Sequence, residues 1–229
     1  MVLFIILGFL IVCLSIDAII QYRARREVAP KNATSFVKNV LNPEKLIVPN
    51  GVFFDNTHTW AYMEKNGKVQ VGINDLLQHL TGKITSIVMR NPGEKIKKGD
   101  IIMTLNNNGK KLHIYSPVSG KINSCNTQLI QNASVINNSP YSDGWIYNIE
   151  PENWYKETQV MLMAEKAKLW LKEEYARCKD FFTTYFQASS LEHAPLVLQD
   201  GGALTDHILA DFGPEVWEEF QTKIIDTNK

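Results

Sequence analysis

Lys110 and Lys111 stand together at the most turn-prone point of this 229-residue chain. A lysine amine on its flexible stem is the group here best suited to carry an acyl arm, since it can be acylated and still swing. The flanking residues predict how the pair is presented. Ile101-Ile-Met-Thr-Leu105 and Leu112-His-Ile-Tyr115 are apolar runs, and Asn106-Asn-Asn-Gly-Lys-Lys111 separates them. Asn-Gly between apolar runs predicts a type I′ hairpin turn, which needs positive φ at both central residues. Asn108-Gly109 then closes the hairpin, and Lys110 and Lys111 follow it either as solvated hairpin lysines or as an attachment site.

Other chemistries find less support. His58 and His79 have no second ligand at metal-site spacing, which suits structural roles. Cys13, Cys125 and Cys178 are odd in number, far apart and without CxxC spacing, against a disulfide framework or a zinc site. No catalytic triad, phosphate loop or dinucleotide fingerprint is present, so no enzyme activity is expected. Lysine plus arginine equals aspartate plus glutamate at 24 each, which removes any bulk electrostatic case for nucleic acid.

The elements that must position the tip read as β. Trp60-Ala-Tyr-Met63 and Val69-Gln-Val71 are short strands around Asn66-Gly67, and Ile84–Met89 is strand-like up to Asn91-Pro-Gly93. Asn74 is placed to cap a short helix through Leu80. Gly93 and Gly99 bracket Ile96, and Pro117-Val-Ser-Gly120 is the matching turn on the other half. Ile146–Ile149 closes the segment before Pro151. Many short strands with Gly and Pro punctuation predict a small sandwich or flattened barrel. Trp60 and Trp145 are read as core.

Residues 51–154 resemble the glycine cleavage H protein, a lipoyl-type carrier. The likeness rests on His58-Thr-Trp60, Val71-Gly-Ile-Asn-Asp75, Gly93, Gly99-Asp100, Tyr115-Ser-Pro-Val-Ser-Gly120 and Ser139-Pro-Tyr-Ser-Asp-Gly-Trp145. It implies a β-rich barrel-sandwich hybrid of the lipoyl/biotinyl type, with a lipoyl-lysine at the hairpin tip. Counted from Gly99 or back from Pro117, that lysine falls on Gly109, which can form no amide, and the acidic residue three positions earlier is Asn106. The resemblance thus implies an H-type domain that keeps its frame and carries no cofactor at Gly109. Lys110 or Lys111 is the alternative site for covalent lipoate.

Residues 1–22 predict a transmembrane signal anchor. Met1–Ile20 is apolar but for Gly8, Ser15 and Asp17, and Arg23, Arg25 and Arg26 follow it. The positive-inside rule then places the body on the cytoplasmic side, with the inner membrane of a bacterium as the expected setting. Residues 23–50 read as a tether, with one helical turn near Ser35–Val40. Residues 155–229 read as a helical extension. Val160, Ala164, Ala167, Leu171, Tyr175, Cys178, Phe182 and Phe186 recur at helical spacing along one face. Thr205 is placed to cap Asp206–Ala210, and Gly213-Pro214 to start a last helix with Trp217, Phe220 and Ile224 inward. Two readings stay open for this extension. It folds on itself and the sandwich, or Leu171, Tyr175 and Phe182 bind a partner protein while the sandwich folds without residues 155–229. The functional expectation is a membrane-anchored, non-lipoylated docking subunit of a cytoplasm-facing redox assembly. The alternative is a working lipoyl carrier.

Overall fold

The computed structural model describes residues 39–188 and 202–226. The predicted anchor at 1–22 and its arginine cluster lie outside them. Among the described residues no helix is long and apolar enough to cross a membrane.

Among the described residues nine strands form two sheets: β1 Phe53–Phe54, β2 Thr59–Met63, β3 Val69–Ile73, β4 Ser86–Met89, β5 Lys95–Ile96, β6 Ile101–Asn107, β7 Lys110–Tyr115, β8 Gly120–Cys125 and β9 Tyr147–Pro151. The larger sheet has the order β1-β2-β3-β9-β8-β5, the smaller β4-β6-β7. Every pairing is antiparallel. Val69, Val71, Ile102, Leu112, Ile114, Ile122 and Ile149 are buried in one core, the small β-sandwich that the strand pattern predicts. The helix α1 (Asp75–Thr81) starts where expected, because the Asn74 side chain accepts a hydrogen bond from the Leu77 amide. Trp60 lies flat over Gly72, where an added Cβ would fall 2.6 Å from the indole. Its ring nitrogen donates to the Pro140 carbonyl at 3.1 Å, so this tryptophan is core.

Short helices α2 (Gln128–Gln131), α3 (Val135–Asn138) and α4 (Trp154–Thr158) connect the sandwich to the long α5 (Ala164–Ala188). Along α5 the residues Ala167, Leu171, Tyr175, Cys178 and Phe182 are buried, as their spacing requires. Val160, assigned to the same stripe, precedes the helix and is 68% exposed, while the Phe186 side chain lies outside the described set. After residue 201 the chain makes a 3-10 turn (Ile208–Asp211), then α6 (Pro214–Phe220), then a π-helical turn (Gln221–Ile225). Pro214 occupies the first turn of α6 as predicted. Thr205 caps nothing. It forms a β-bridge with Val40, and His207 precedes the 3-10 turn at φ +64°.

Two expectations are revised here. Of the predicted tether, residues 23–38 lie outside the described residues, while the part from residue 39 packs into the fold, since Leu41 is buried and its amide donates to the Leu204 carbonyl at 2.8 Å. The extension is also no separate body. Leu171, Tyr175, Phe182, Trp217, Phe220 and Ile224 belong to the same buried cluster as the sandwich core. They are therefore not an accessible partner-binding face.

Candidate functional site

The hairpin tip has the predicted turn. Asn108 sits at φ +50° and Gly109 at φ +87°, and the last cross-strand pair before them is Asn107 with Lys110. Asparagine tolerates the left-handed region and glycine adopts it freely, so Asn-Gly fits both positions. The turn is tied from below. The Asn107 amide donates to the Thr81 carbonyl at 3.1 Å, and the Asn108 backbone N–H donates to Thr85 Oγ1 at 3.2 Å. A Cβ added at Gly109 would meet nothing within 4 Å, so this position is open to solvent but restricted in backbone.

The two lysines differ sharply. Lys110 Nζ donates to the Ala210 carbonyl at 2.6 Å and to the Phe212 carbonyl at 3.1 Å, and lies 5.3 Å from the centre of the Trp217 ring. Two carbonyl dipoles and an aromatic face make a cage for an ammonium group. Burial pushes the Lys110 pKa below the ordinary lysine value, partly offset by the nearby Asp211 carboxylate. Lys110 is thus not the solvated hairpin lysine that the turn suggested. Lys111 remains exposed, with no ion pair among the described residues.

The cage belongs to a helical strap that runs beside the hairpin. Strand β7 is an edge of the smaller sheet. Its His113 amide donates to Gln221 Oε1 at 2.7 Å, and the Tyr115 hydroxyl donates to Asp226 Oδ1 at 2.7 Å. Burial and the Asp226 carboxylate push the Tyr115 pKa up to about 12. Covering an edge strand removes a template for unwanted pairing.

The predicted structural histidines also hold this assembly together. His79 Nδ1 lies 2.8 Å from Asp206 Oδ1, and His79 Nε2 lies 3.5 Å from Asp75 Oδ1. Burial alone would lower the His79 pKa, but the hydrogen bond to Asp206 and the charges of Asp75 and Asp206 outweigh it and raise the value. His58 is buried, and the Asn74 amide nitrogen lies 3.2 Å from its Nδ1. Since Asn74 uses its oxygen on Leu77, that nitrogen donates and His58 carries its proton on Nε2. His58 Nε2 lies 3.2 Å from Glu174 Oε2, and Glu174 in turn accepts from Arg177. Arg177 also donates to the Ile224 carbonyl at 2.8 Å, so α5 holds the sandwich on one side and the π turn on the other. No group of three or more His, Cys, Asp or Glu side chains suited to a metal ion occurs among the described residues.

A lipoyl amide needs a projecting amine. Gly109 has none, the Lys110 amine is engaged by two carbonyls, and of these three tip residues Lys111 alone has an amine without an ion pair or hydrogen bond among the described residues. The position the sequence assigns to the arm therefore does not fit the group.

Residues 52–174 match the model of the glycine cleavage H-protein family. This chain belongs to that family. It is 32% identical over 125 residues to a probable glycine cleavage system H protein of Pyrococcus abyssi, covering 55% of this chain and 92% of the relative. With glycine cleavage system H protein 2 of Aquifex aeolicus it shares 29% over 132 residues, covering 57% and 82%. The crystal structure of a glycine cleavage system H protein from Mycobacterium marinum overlaps 45% of this chain and 86% of that one, at 23% identity and a TM-score of 0.43. The strap from Leu204 onward lies outside the stretch that matches the H-protein family.

Sequence reasoning placed the hairpin, the turn and Gly109. It missed the engagement of Lys110, because the cage comes from carbonyls about a hundred positions downstream, and backbone carbonyls leave no signature in sequence.

Proposed function

We propose that this chain is a non-catalytic, non-lipoylated H-type subunit that docks to protein partners at the cytoplasmic face of a membrane. The observation that carries this reading is the tip. Where the resemblance places the lipoyl-lysine there is a glycine, and the next amine is caged by the strap. A swinging arm requires a free stem, whereas a docking module requires a fixed shape. Anchoring through residues 1–22 is supported by the apolar run of Met1–Ile20 and the arginines that follow it. A redox assembly is the setting we propose by analogy with lipoyl-type domains, which redox enzymes grip.

Two measurements test the reading. The intact mass of the full chain from its native source should equal the unmodified mass, and the chain extracted in mild detergent should retain partner proteins. A lipoyl increment lost on Lys111→Arg would establish the carrier alternative at Lys111, and one lost on Lys110→Arg would establish it at Lys110. A reporter active only outside the cytoplasm, fused after Lys229, should stay silent. Strong reporter activity would reverse the orientation.

A further inference from the structure

The cage over Lys110 is fastened from the N-terminal side of the fold. Its two carbonyls, those of Ala210 and Phe212, lie in the segment between Gly202 and Gly213, which ends where α6 begins. The start of that segment pairs with the first described residues of the chain. The Leu41 N–H donates to the Leu204 carbonyl at 2.8 Å, and the Asp206 N–H donates to the Asn39 carbonyl at 2.7 Å. Val40 and Thr205 face each other between these bonds as an isolated antiparallel bridge. Thr205 serves by its backbone alone, since its hydroxyl is buried without a hydrogen-bond partner among the described residues.

This bridge is a point where the strap can part from the fold. It has no ladder on either side to reinforce it. Val40 is 52% exposed, and a cleft of about 320 Å³ runs beside it to His79 and Asp206. Next in the chain, His207 is held at φ +64°, a left-handed conformation that histidine adopts at a cost. It fits only because Gly82 leaves room, since a Cβ on Gly82 would fall 2.8 Å from that of His207. Strain of this kind favours release once the fastenings go. Against it, Ile208 and Leu209 are fully buried, and the Trp217 indole donates to the Leu209 carbonyl at 2.8 Å. Those contacts keep the closed form dominant.

We propose that the bridge between residues 39–41 and 204–206 is a clasp that holds the strap closed over Lys110. Displacing residues 39–41 frees residues 204–212 to lift, and the Lys110 amine is then presented beside the hairpin turn. The described residues begin at Asn39, so a displacement of the preceding 38 residues reaches the fold at this clasp. Only a short stretch of backbone separates the clasp at Asp206 from the cage at Ala210 and Phe212, which couples the two directly. The tip thus has a closed form that hides its amine and an open form that offers it. The clasp acts on the cage and holds whether or not a partner docks.

Amine accessibility can be read on the full chain in detergent micelles with a water-soluble acetylating ester, residue by residue, by mass spectrometry. Labelling of a transiently open site tracks how often it opens. In the wild type Lys110 should react about tenfold more slowly than its exposed neighbour Lys111. Leu41→Pro removes the N–H given to Leu204 and should speed Lys110 about tenfold. Lys111 and the amide-exchange protection of Val69–Ile73 should not change. A second variant closes the clasp instead of weakening it. Val40→Cys with Thr205→Cys puts two thiols on a non-hydrogen-bonded antiparallel pair, where Cα atoms about 4.5 Å apart permit a disulfide. Its oxidised form should acetylate Lys110 several-fold more slowly than its reduced form. Equal rates at Lys110 and Lys111 in the wild type would overturn the proposal. So would an unchanged Lys110 rate in Leu41→Pro with Val69–Ile73 still protected. If Leu41→Pro loses that protection, the cysteine pair decides. Equal Lys110 rates in its two redox forms overturn the clasp, and slowing on oxidation upholds it.

Discussion

At the level of single residues, the tip is defined by one backbone requirement and one caged amine. Gly109 has room for any side chain but sits at φ +87°, so substitution there meets strain and no clash. We expect Gly109→Val to destabilise the protein by about 1–3 kcal/mol, as for other β-branched residues forced into the left-handed region, and Gly109→Asn by less. Urea denaturation of the two variants gives the comparison. Lys110→Met removes a donor from the Ala210 and Phe212 carbonyls, and losing such charge-assisted hydrogen bonds costs about 1–3 kcal/mol. Lys111→Ala, which breaks no contact among the described residues, should be neutral in the same titration. Equal effects at the two lysines would show that the cage contributes nothing.

Between elements, titratable pairs fasten the strap. The raised His79 pKa means that the protonated histidine is favoured in the folded state. This stabilisation is full below the ordinary histidine value and is lost as pH rises through the raised one. Burial would raise the Asp206 pKa, but the hydrogen bond and charge of His79 lower it. Its contribution is therefore present above the ordinary carboxylate range and fades as pH falls through the lowered value. Glu174 behaves like Asp206, because His58 and Arg177 outweigh its burial. Together these signs place maximal stability between the carboxylate and histidine ranges, on the mildly acidic side of neutrality. Melting temperature against pH should fall on both sides of that window. His79→Asn should flatten the alkaline side and leave the Glu174 part of the acid side. An unchanged alkaline slope in His79→Asn would place the responsible group elsewhere.

For the whole molecule, the consequence of a shared core is that sandwich and extension fold together. Phe182 stacks on Phe212 and Phe220 at ring-centroid separations of 5.4 and 5.9 Å, joining α5 to the strap. A charge placed there has no partner, and burying an ionised carboxylate in an apolar setting costs several kcal/mol. Phe182→Asp and Leu171→Asp should therefore unfold the protein, a stronger result than loss of a partner, and circular dichroism with proteolysis will show it. Removing residues 155–229 should give an aggregating or molten product, since it uncovers core side chains and the β7 edge. Lys172→Ala should change stability by less than about 1 kcal/mol, because its 2.8 Å ion pair with Glu44 is exposed. A soluble, cooperatively melting truncation would show that the strap is an accessory to an independent sandwich.

What the sequence determined by itself is local in origin. Asn108-Gly109 dictated a turn because few dipeptides accept positive φ twice, and Asn74 dictated a helix start because its side chain replaces a missing backbone acceptor. The alternation of strands and the stripe of α5 follow from periods of two and 3.6 residues. H-protein motifs spread along residues 51–154 added the family, and with it the significance of a glycine at the tip. Tertiary structure alone decided what each exposed-looking residue faces. Lys110 reads as solvated until Ala210 and Phe212 are brought over it, and Leu171, Tyr175 and Phe182 read equally as interface or core until α6 packs against α5. Residues 39–50 read as tether until Leu41 meets Leu204. In each case the deciding contact joins segments far apart in the chain, and an apolar stripe or a lysine carries no record of which surface will cover it.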